Sequence, residues 1–256
     1  MDKAAVLAEL VRMSTSLGQP DKDYAILGEG NTSARIDDDT FYVKESGAYL
    51  ATAAAEQFVE VRASAVLDML EVEHLTDEEI KDRLTAARVS PSSGHPSIET
   101  VFHAYLLTIP GVNFVGHTHP VAVNTLLCSN KAQEIINGRV FPDEIIFCGI
   151  RPIFLPYMDP GVELARQIRE GVIEFTQAER VRPKAILMQN HGLIALGSTS
   201  GEVEAITAMW VKTARVLAGA YALGGIHYLT TENVNRIYTR PDEEYRVRQF
   251  KAGSDE

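Results

Sequence analysis

The chain has 256 residues, of which 45% are hydrophobic and 23% charged, and these ordinary proportions exclude a largely disordered protein. Its formal net charge of −11 at pH 7 disfavours nucleic acids and anionic membranes as partners. No apolar run is long enough to span a membrane, and the N-terminus has no signal-peptide pattern. Cys128 and Cys148 lack metal-type spacing, so we expect free thiols in a reducing compartment. These features together predict a cytoplasmic protein.

Helix and strand patterns alternate through the first half of the chain. Apolar residues at helical spacing, such as Val6 and Leu10, favour an N-terminal helix, and Thr76 with Glu79 forms a capping box for a later one. The predicted elements are a helix from Asp2, paired strands over 28–43, a helix from Thr76 to about Arg88 and a helix from Ser97 to about Leu107.

The second half continues the alternation. Its predicted elements are a strand over 112–118, a helix after Pro120, a helix whose first residue is Pro160, a strand over 184–189 and a long helix ending near Gly224. This order predicts an α/β fold, with a three-layer α/β/α single domain built around a central β-sheet. We expect that domain to cover residues 1–256, with a charged C-terminal tail from about 231 to 256.

Three histidines are predicted to lie at strand ends. His117 and His119 close the apolar strand over 112–118, and side chains two residues apart on a strand point to the same face. His191 follows the strand over 184–189, at a predicted strand-to-helix turn. Three histidines with an open fourth position are the ligand set of a catalytic zinc site. The sequence therefore predicts Zn²⁺ at these residues, with Mn²⁺ or Co²⁺ as alternatives.

An acidic residue precedes the histidines, in the helix predicted to begin at Ser97. Glu99 lies in its first turn, where a carboxylate either only stabilises the helix or also faces the metal. His103 lies on the same helix face as Glu99, and we favour a packing or supporting role for it over metal binding. His95 is the better candidate for contact with a substrate.

Five motifs in this order resemble those of the class II aldolase/adducin family, whose enzymes include fuculose-phosphate and rhamnulose-phosphate aldolases. The likeness runs from about residue 5 to about residue 225. The motifs are GEGNTS at 28–33 with Arg35, KESG at 44–47, PSIE at 96–99 with His103, HTHP at 117–120 and NHG at 190–192.

The resemblance implies a class II metal-dependent aldolase that cleaves a ketose phosphate, or a related hydroxy-keto substrate, through a metal-bound enediolate. It implies that Glu99 is the acid/base and that the enzyme is a homotetramer with active sites between neighbouring subunits. A metal-dependent epimerase, dehydratase or decarboxylase of the same superfamily is the alternative. A non-catalytic adducin-like module is more remote, because adducin heads lack the metal histidines that are present here.

The resemblance also implies an anion-binding site for a sugar phosphate or a keto acid. Its matching residues are Asn31, Ser46, Gly47 and Ser97, and Lys44 is expected to add positive charge. Ile98 replaces a second serine of the phosphate-using relatives, which leaves phosphate and carboxylate both open. In residues 136–149, where the aldolases place a tyrosine, this chain has Asp143 and Glu144 instead. Tyr238 and Tyr245 in the tail are an alternative source of a phenol, and the sequence leaves the proton donor to the leaving group unassigned.

Overall fold

A computed structural model describes residues 2–240, and its seven-stranded mixed sheet lies between two layers of helices. The strands are β1 (Asn31–Arg35), β2 (Thr40–Lys44), β3 (Phe58–Arg62), β4 (Phe114–Thr118), β5 (Ile153–Leu155), β6 (Ala185–Met188) and β7 (Gly192–Gly197). The α-helices are α1 (Lys3–Leu17), α2 (Ala63–Leu67), α3 (Asp77–Ala87), α4 (Thr100–Leu106), α5 (Val121–Leu127), α6 (Ala132–Ile136), α7 (Pro142–Cys148), α8 (Val162–Glu179), α9 (Ser200–Ala222) and α10 (Thr231–Tyr238).

The strand order is β3-β2-β1-β4-β7-β6-β5, and all neighbours are antiparallel except β5 and β6. Both faces are covered, so successive residues of the inner strands enter two different cores. In β7, Ile194 and Leu196 pack with α2, α3, α4 and α8, whereas Leu193 and Ala195 pack with α1, α5, α7 and α9. The predicted three-layer α/β/α architecture is therefore confirmed, with β4 at the centre of the sheet.

Three details differ from the sequence-based expectation. His191 lies in the turn between antiparallel β6 and β7 and not at a strand-to-helix turn, because the short apolar run at 193–196 is a strand. Helix α4 begins at Thr100, since the backbone of Ser97 closes a turn through its carbonyl instead of capping with its hydroxyl. Pro160 precedes α8, because Gly161 has a φ of 134°, which is not helical.

The predicted charged tail from about residue 231 is partly helical. Its first residues form α10, and Tyr245 lies outside the described residues. Within residues 2–240, no helix combines the length and the apolar character needed to cross a membrane. The two cysteines, Cys128 and Cys148, are free thiols, as expected.

Candidate metal centre

The three predicted histidines meet at one end of the sheet. His117 is the fourth residue of β4, His119 follows that strand, and His191 comes from the β6–β7 turn beside it. The Nε2 atoms of His117 and His119 are 2.9 Å apart. One nitrogen from each of the three rings lies within 4.8 Å of the other two, so small shifts of the side chains would let all three bind one metal ion.

The orientation of the rings fits a divalent ion. Nδ1 of His117 lies 3.1 Å from the Leu193 carbonyl oxygen and donates to it, so the Nε2 lone pair faces the other histidines. Nδ1 of His119 faces Glu29 at 4.0 Å, which again leaves Nε2 pointing inward. Burial, followed by the charges of His117 and His191, lowers the pKa of His119 to about 3 and keeps it neutral. Neutral imidazoles are the form that binds zinc.

Two glycines allow the backbone segments around the histidines to approach closely. A Cβ on Gly192 would lie 2.6 Å from the Thr118 carbonyl oxygen and 2.7 Å from Cδ2 of His119. A Cβ on Gly30 would lie 2.6 Å from the His117 carbonyl oxygen, and Gly30 also has a φ of +68°. Any larger residue would therefore displace the histidine segments.

Glu99 lies between the histidines and α4. Its Oε1 is 3.2 Å from Nε2 of His191 and 3.5 Å from Nε2 of His117, and only 13% of its side chain is exposed. Burial raises the pKa of the Glu99 carboxyl, but the adjacent His117 and His191 lower it by more. The resulting pKa lies well below the usual range. The arrangement places an ionised carboxylate directly beside three convergent imidazoles.

A line of polar side chains continues from Glu99 into the interior. Asn31 Nδ2 donates to Glu99 Oε2 at 2.5 Å, and Asn31 Oδ1 contacts His103 Nε2. The other ring nitrogen of His103 is 2.7 Å from Ser33 Oγ. Asn31 and Ser33 share the face of β1 that carries His117 on β4, because their register partners are His117 and Val115. Sequence reasoning missed Ser33, although strand alternation from Asn31 would have indicated it.

The residues predicted to bind an anion occupy two neighbouring segments. The Ser46 N–H donates to the His95 carbonyl oxygen at 2.8 Å, which joins the segment 45–48 to the segment 95–97. Lys44 is buried, and its Nζ donates to the carbonyl oxygens of Glu45, at 3.2 Å, and of Ala48. Burial lowers the pKa of Lys44 to about 8. Lys44 therefore holds the segment 45–48 in place by hydrogen bonds to its backbone.

The polar groups of the predicted anion site differ in whether they already have hydrogen-bond partners. The Ser97 hydroxyl is buried and has no hydrogen-bond partner. Gly47 has a φ of +81°, and open space faces its α-carbon. His95 is exposed, whereas both ends of the Asn31 amide are engaged by Glu99 and His103. Anion binding by these residues stays a prediction.

The segment 136–149, where the aldolases place a tyrosine, takes part in two pairs of oppositely charged side chains. Arg139 and Glu144 are both fully enclosed, and their side chains are 3.0 Å apart. The Arg139 guanidinium also lies over the ring of Trp210, at 5.4 Å from its centroid. Asp143 is 3.9 Å from Lys212. Glu144 is thus part of the structural core, and the arrangement gives it no access to a substrate.

Comparison with known proteins identifies a family whose model matches most of this chain. Residues 8–218 match the model of the family described as "Class II Aldolase and Adducin N-terminal domain". The oxidoreductase YuxG of Bacillus subtilis, itself uncharacterised, is 33% identical over 200 residues, which are 75% of this chain and 26% of YuxG. This chain thus spans about a quarter of that relative.

Two further relatives match over nearly their whole length. The 3-oxo-tetronate 4-phosphate decarboxylase of Haemophilus influenzae is 25% identical over 223 residues, covering 86% of this chain and 90% of that enzyme. An L-fuculose 1-phosphate aldolase structure superposes with a TM-score of 0.70 at 16% identity, covering 96% of this chain and 98% of that one, which shows the shared fold. Because the family match spans most of its length, the chain belongs to the class II aldolase and adducin N-terminal domain family, whose enzymes are metal-dependent aldolases and related decarboxylases.

Proposed function

We propose that this chain is a zinc-dependent aldolase that cleaves a ketose phosphate or a related hydroxy-keto compound. The observation that carries the proposal is the position of the Glu99 carboxylate, at 3.2 and 3.5 Å from two of three convergent histidines. A divalent ion held by His117, His119 and His191 would supply Lewis-acid stabilisation of negative charge on the substrate.

Glu99 is proposed to move the proton. In cleavage, the ionised Glu99 would take the proton of the substrate hydroxyl as the carbon–carbon bond breaks, and would deliver it to the carbon that keeps the electron pair. In the direction of synthesis it would remove that proton from carbon and return it to the new hydroxyl. The low exposure of the side chain keeps bulk water from competing for the proton.

The anionic end of the substrate is proposed to bind at the segments 45–48 and 95–97. Ser46, Gly47 and Ser97 offer hydroxyl and backbone groups, and the unpartnered Ser97 hydroxyl supports a ligand there. Buried Lys44 adds a positive charge behind the segment that it holds. Asn31 and His95 complete the proposed set, at the Glu99 side and at the exposed rim respectively.

Decarboxylation is the second candidate reaction. It is favoured by the Haemophilus influenzae decarboxylase, which aligns over 90% of its own length. It uses the same residues up to the point where carbon dioxide, instead of an aldehyde, leaves the substrate. Ile98, in place of a hydroxyl residue, does not distinguish a phosphate from a carboxylate.

A panel of ketose 1-phosphates and phosphorylated 3-oxo acids, assayed with purified protein of known metal content, tests the proposal. Aldehyde release that chelation abolishes and Zn²⁺ restores is the expected result. Carbon dioxide release without aldehyde would assign the decarboxylase instead. Turnover that is indifferent to chelation would overturn the metal-dependent mechanism as a whole.

A further inference from the structure

A hydrogen-bonded series of side chains holds one oxygen of Glu99 and leaves the other free to face the histidines. Oε2 accepts from Asn31 Nδ2 at 2.5 Å, whereas Oε1 is the atom nearest to His117 and His191. We propose that Ser33, His103 and Asn31 are positioning residues that fix the orientation of the Glu99 carboxylate. This inference rests on the proposed role of Glu99 in proton transfer.

One arrangement of protons satisfies the whole series. An ionised carboxylate only accepts hydrogen bonds, so Asn31 must present its amide nitrogen to Glu99 and its oxygen to His103. His103 must then carry its proton on Nε2, which leaves Nδ1 as an acceptor for the Ser33 hydroxyl. The direction of every hydrogen bond in the series therefore follows from the donation by Asn31 to Glu99.

The surroundings of His103 keep it in this form. The side chain is fully buried, and its ring stacks on Phe102 with the centroids 4.7 Å apart. Burial, followed by the charge of His117, lowers the pKa of His103 to about 3, so the ring is neutral at physiological pH. Because the neutral ring carries a single N–H proton, it donates to Asn31 and accepts from Ser33, and all hydrogen bonds of the series run the same way.

Orientation matters because the last torsion of a glutamate side chain has a broad energy profile. Without the Asn31 contact, the carboxylate would turn about this torsion and Oε1 would no longer be held toward the substrate. The cost falls on the chemical step, which needs a defined geometry between the base and the reacting carbon. Substrate binding at the separate segments 45–48 and 95–97 would change little.

The opposite face of β1 supplies a matched control. Ser14 Oγ lies 2.6 Å from Thr32 Oγ1 and also donates to the Leu10 carbonyl oxygen. Ser14 and Ser33 are both fully buried and each shares a hydrogen bond with another side chain. Only the Ser33 contact leads to Glu99, so Ser14→Ala should reproduce the general effect of removing a buried hydroxyl.

The first readout is the tautomer of His103, measured by ¹⁵N NMR of the imidazole nitrogens in histidine-labelled protein. The expected spectrum shows Nε2 protonated and Nδ1 unprotonated at neutral pH. Both Ser33→Ala and Asn31→Asp should shift these signals, whereas Ser14→Ala should leave them in place. A His103 that carries its proton on Nδ1, or both protons, in the unmodified protein would overturn the inference without any assay of activity.

The second readout is the division between kcat and KM. Asn31→Asp keeps the acceptor for His103 but removes the donor to Glu99, and kcat should fall roughly 10- to 100-fold. Ser33→Ala should also lower kcat, with KM nearly unchanged because Ser33 is not one of the proposed anion-binding residues, and Ser14→Ala should change neither. An active enzyme in which both variants keep full kcat, or change only KM, contradicts the positioning role.

The two readouts separate this inference from the proposed function. If no substrate of the panel is turned over, the proposed aldolase or decarboxylase fails, while the NMR spectra still decide whether the series exists. If turnover is found but Asn31→Asp retains its rate, the function stands and the positioning role is wrong.

Discussion

His117 is held on two sides before any ligand binds. Its Nδ1 contacts the Leu193 carbonyl oxygen at 3.1 Å, and Phe102 meets its ring edge-on, with the centroids 5.6 Å apart. A side chain held this way loses little conformational entropy when it coordinates an ion, which is how outer partners strengthen metal sites.

Replacing His117 should therefore remove the metal. We expect His117→Ala to lose bound zinc, because two remaining imidazoles cannot complete the site. Elemental analysis of purified protein measures the loss. His74→Ala is the control, since that imidazole is 90% exposed, and it should keep full metal content. Retention of zinc by His117→Ala would show that the ion is held elsewhere.

Glu99→Gln should preserve the fold and the metal and abolish most of the catalysis. The amide has nearly the same shape as the carboxylate but cannot accept and return a proton. General acid/base catalysis contributes roughly 10²–10⁴-fold to a rate, so kcat should fall by about that factor. Steady-state kinetics with zinc-loaded protein measures the fall. Near-native turnover would transfer the role to another residue, with His95 the next to test.

Lys44 makes stability depend on pH in the alkaline range. Burial lowers the pKa of Lys44 from 10.5 to about 8, against the smaller raising effects of Glu45 and Glu99. The unfolded chain therefore binds more protons than the folded one between these values, and stability from this group rises with pH. The contribution is fully present above pH 10.5 and is lost as the pH falls through about 8.

Urea unfolding of the native protein and of Lys44→Met, from pH 7 to pH 10.5, tests this sign. The free energy of unfolding of the native protein should increase relative to that of the variant as the pH rises. A constant difference between the two proteins would mean that Lys44 titrates alike in the folded and unfolded chains.

The β6–β7 hairpin depends on Gly192 for its distance from β4. Gly192→Ala would place a methyl group 2.6 Å from the Thr118 carbonyl oxygen and 2.7 Å from the His119 ring, so backbone must move. We expect lower thermal stability and weaker zinc binding, measured by calorimetry and metal titration. Gly219→Ala in α9 meets no atom within 4 Å and should instead stabilise the protein, by about 1 kcal/mol. Unchanged zinc affinity in Gly192→Ala would contradict the close approach.

The sequence predicts some helices and strands of the fold and misses others. The β1–β2 hairpin and the capped helix α3 are confirmed, because turn residues and a Thr76–Glu79 capping box are local signals. Strands β3, β5 and β7 were not predicted, since runs of three to six residues are too short to show a clear period, and β7 is also buried along its whole length.

The same limit applies to the site. The His-x-His pair is a local signal that is weak on its own, and the role of Glu99 was predicted from the family resemblance of the surrounding motifs. The connection from Glu99 through Asn31 to His103 depends on the pairing of β1 with β4 and on the placement of α4. Long-range pairing of this kind leaves no local pattern, so the contact between Ser33 and His103 could not be predicted, although strand alternation places Ser33 on the same face as Asn31.

At the scale of the whole molecule, an apolar rim lies in segments next to the histidines. Ile26 and Val121 are each about half exposed, Ile98 is 43% exposed and Leu27 is 71% exposed. The segment 23–27 and the His119 segment are joined by hydrogen bonds from the His119 and Val121 N–H groups to the carbonyls of Tyr24 and Asp23. Exposed apolar groups near a functional site often mark contacts between proteins.

We expect a homotetramer in which a neighbouring copy covers this rim. Light scattering at micromolar concentration should give about four times the mass of one chain. Leu27→Asp should weaken the assembly, whereas Leu223→Asp, a control at a 91% exposed position after α9, should not. A mass near 28.2 kDa for the unmodified protein would rule out a site shared between subunits.

The origin of the ligands on β4 and on the β6–β7 hairpin also has a kinetic consequence. His117 and Leu193, which contact each other, are 76 residues apart in the chain. No short peptide from this protein can then present all three imidazoles, and the site forms only after β4 and β7 have paired. Because such distant pairing is slow, zinc capture during refolding should lag behind the appearance of helices. We therefore expect zinc to bind at the last stage of folding and to stabilise only those molecules in which β4 and β7 have paired.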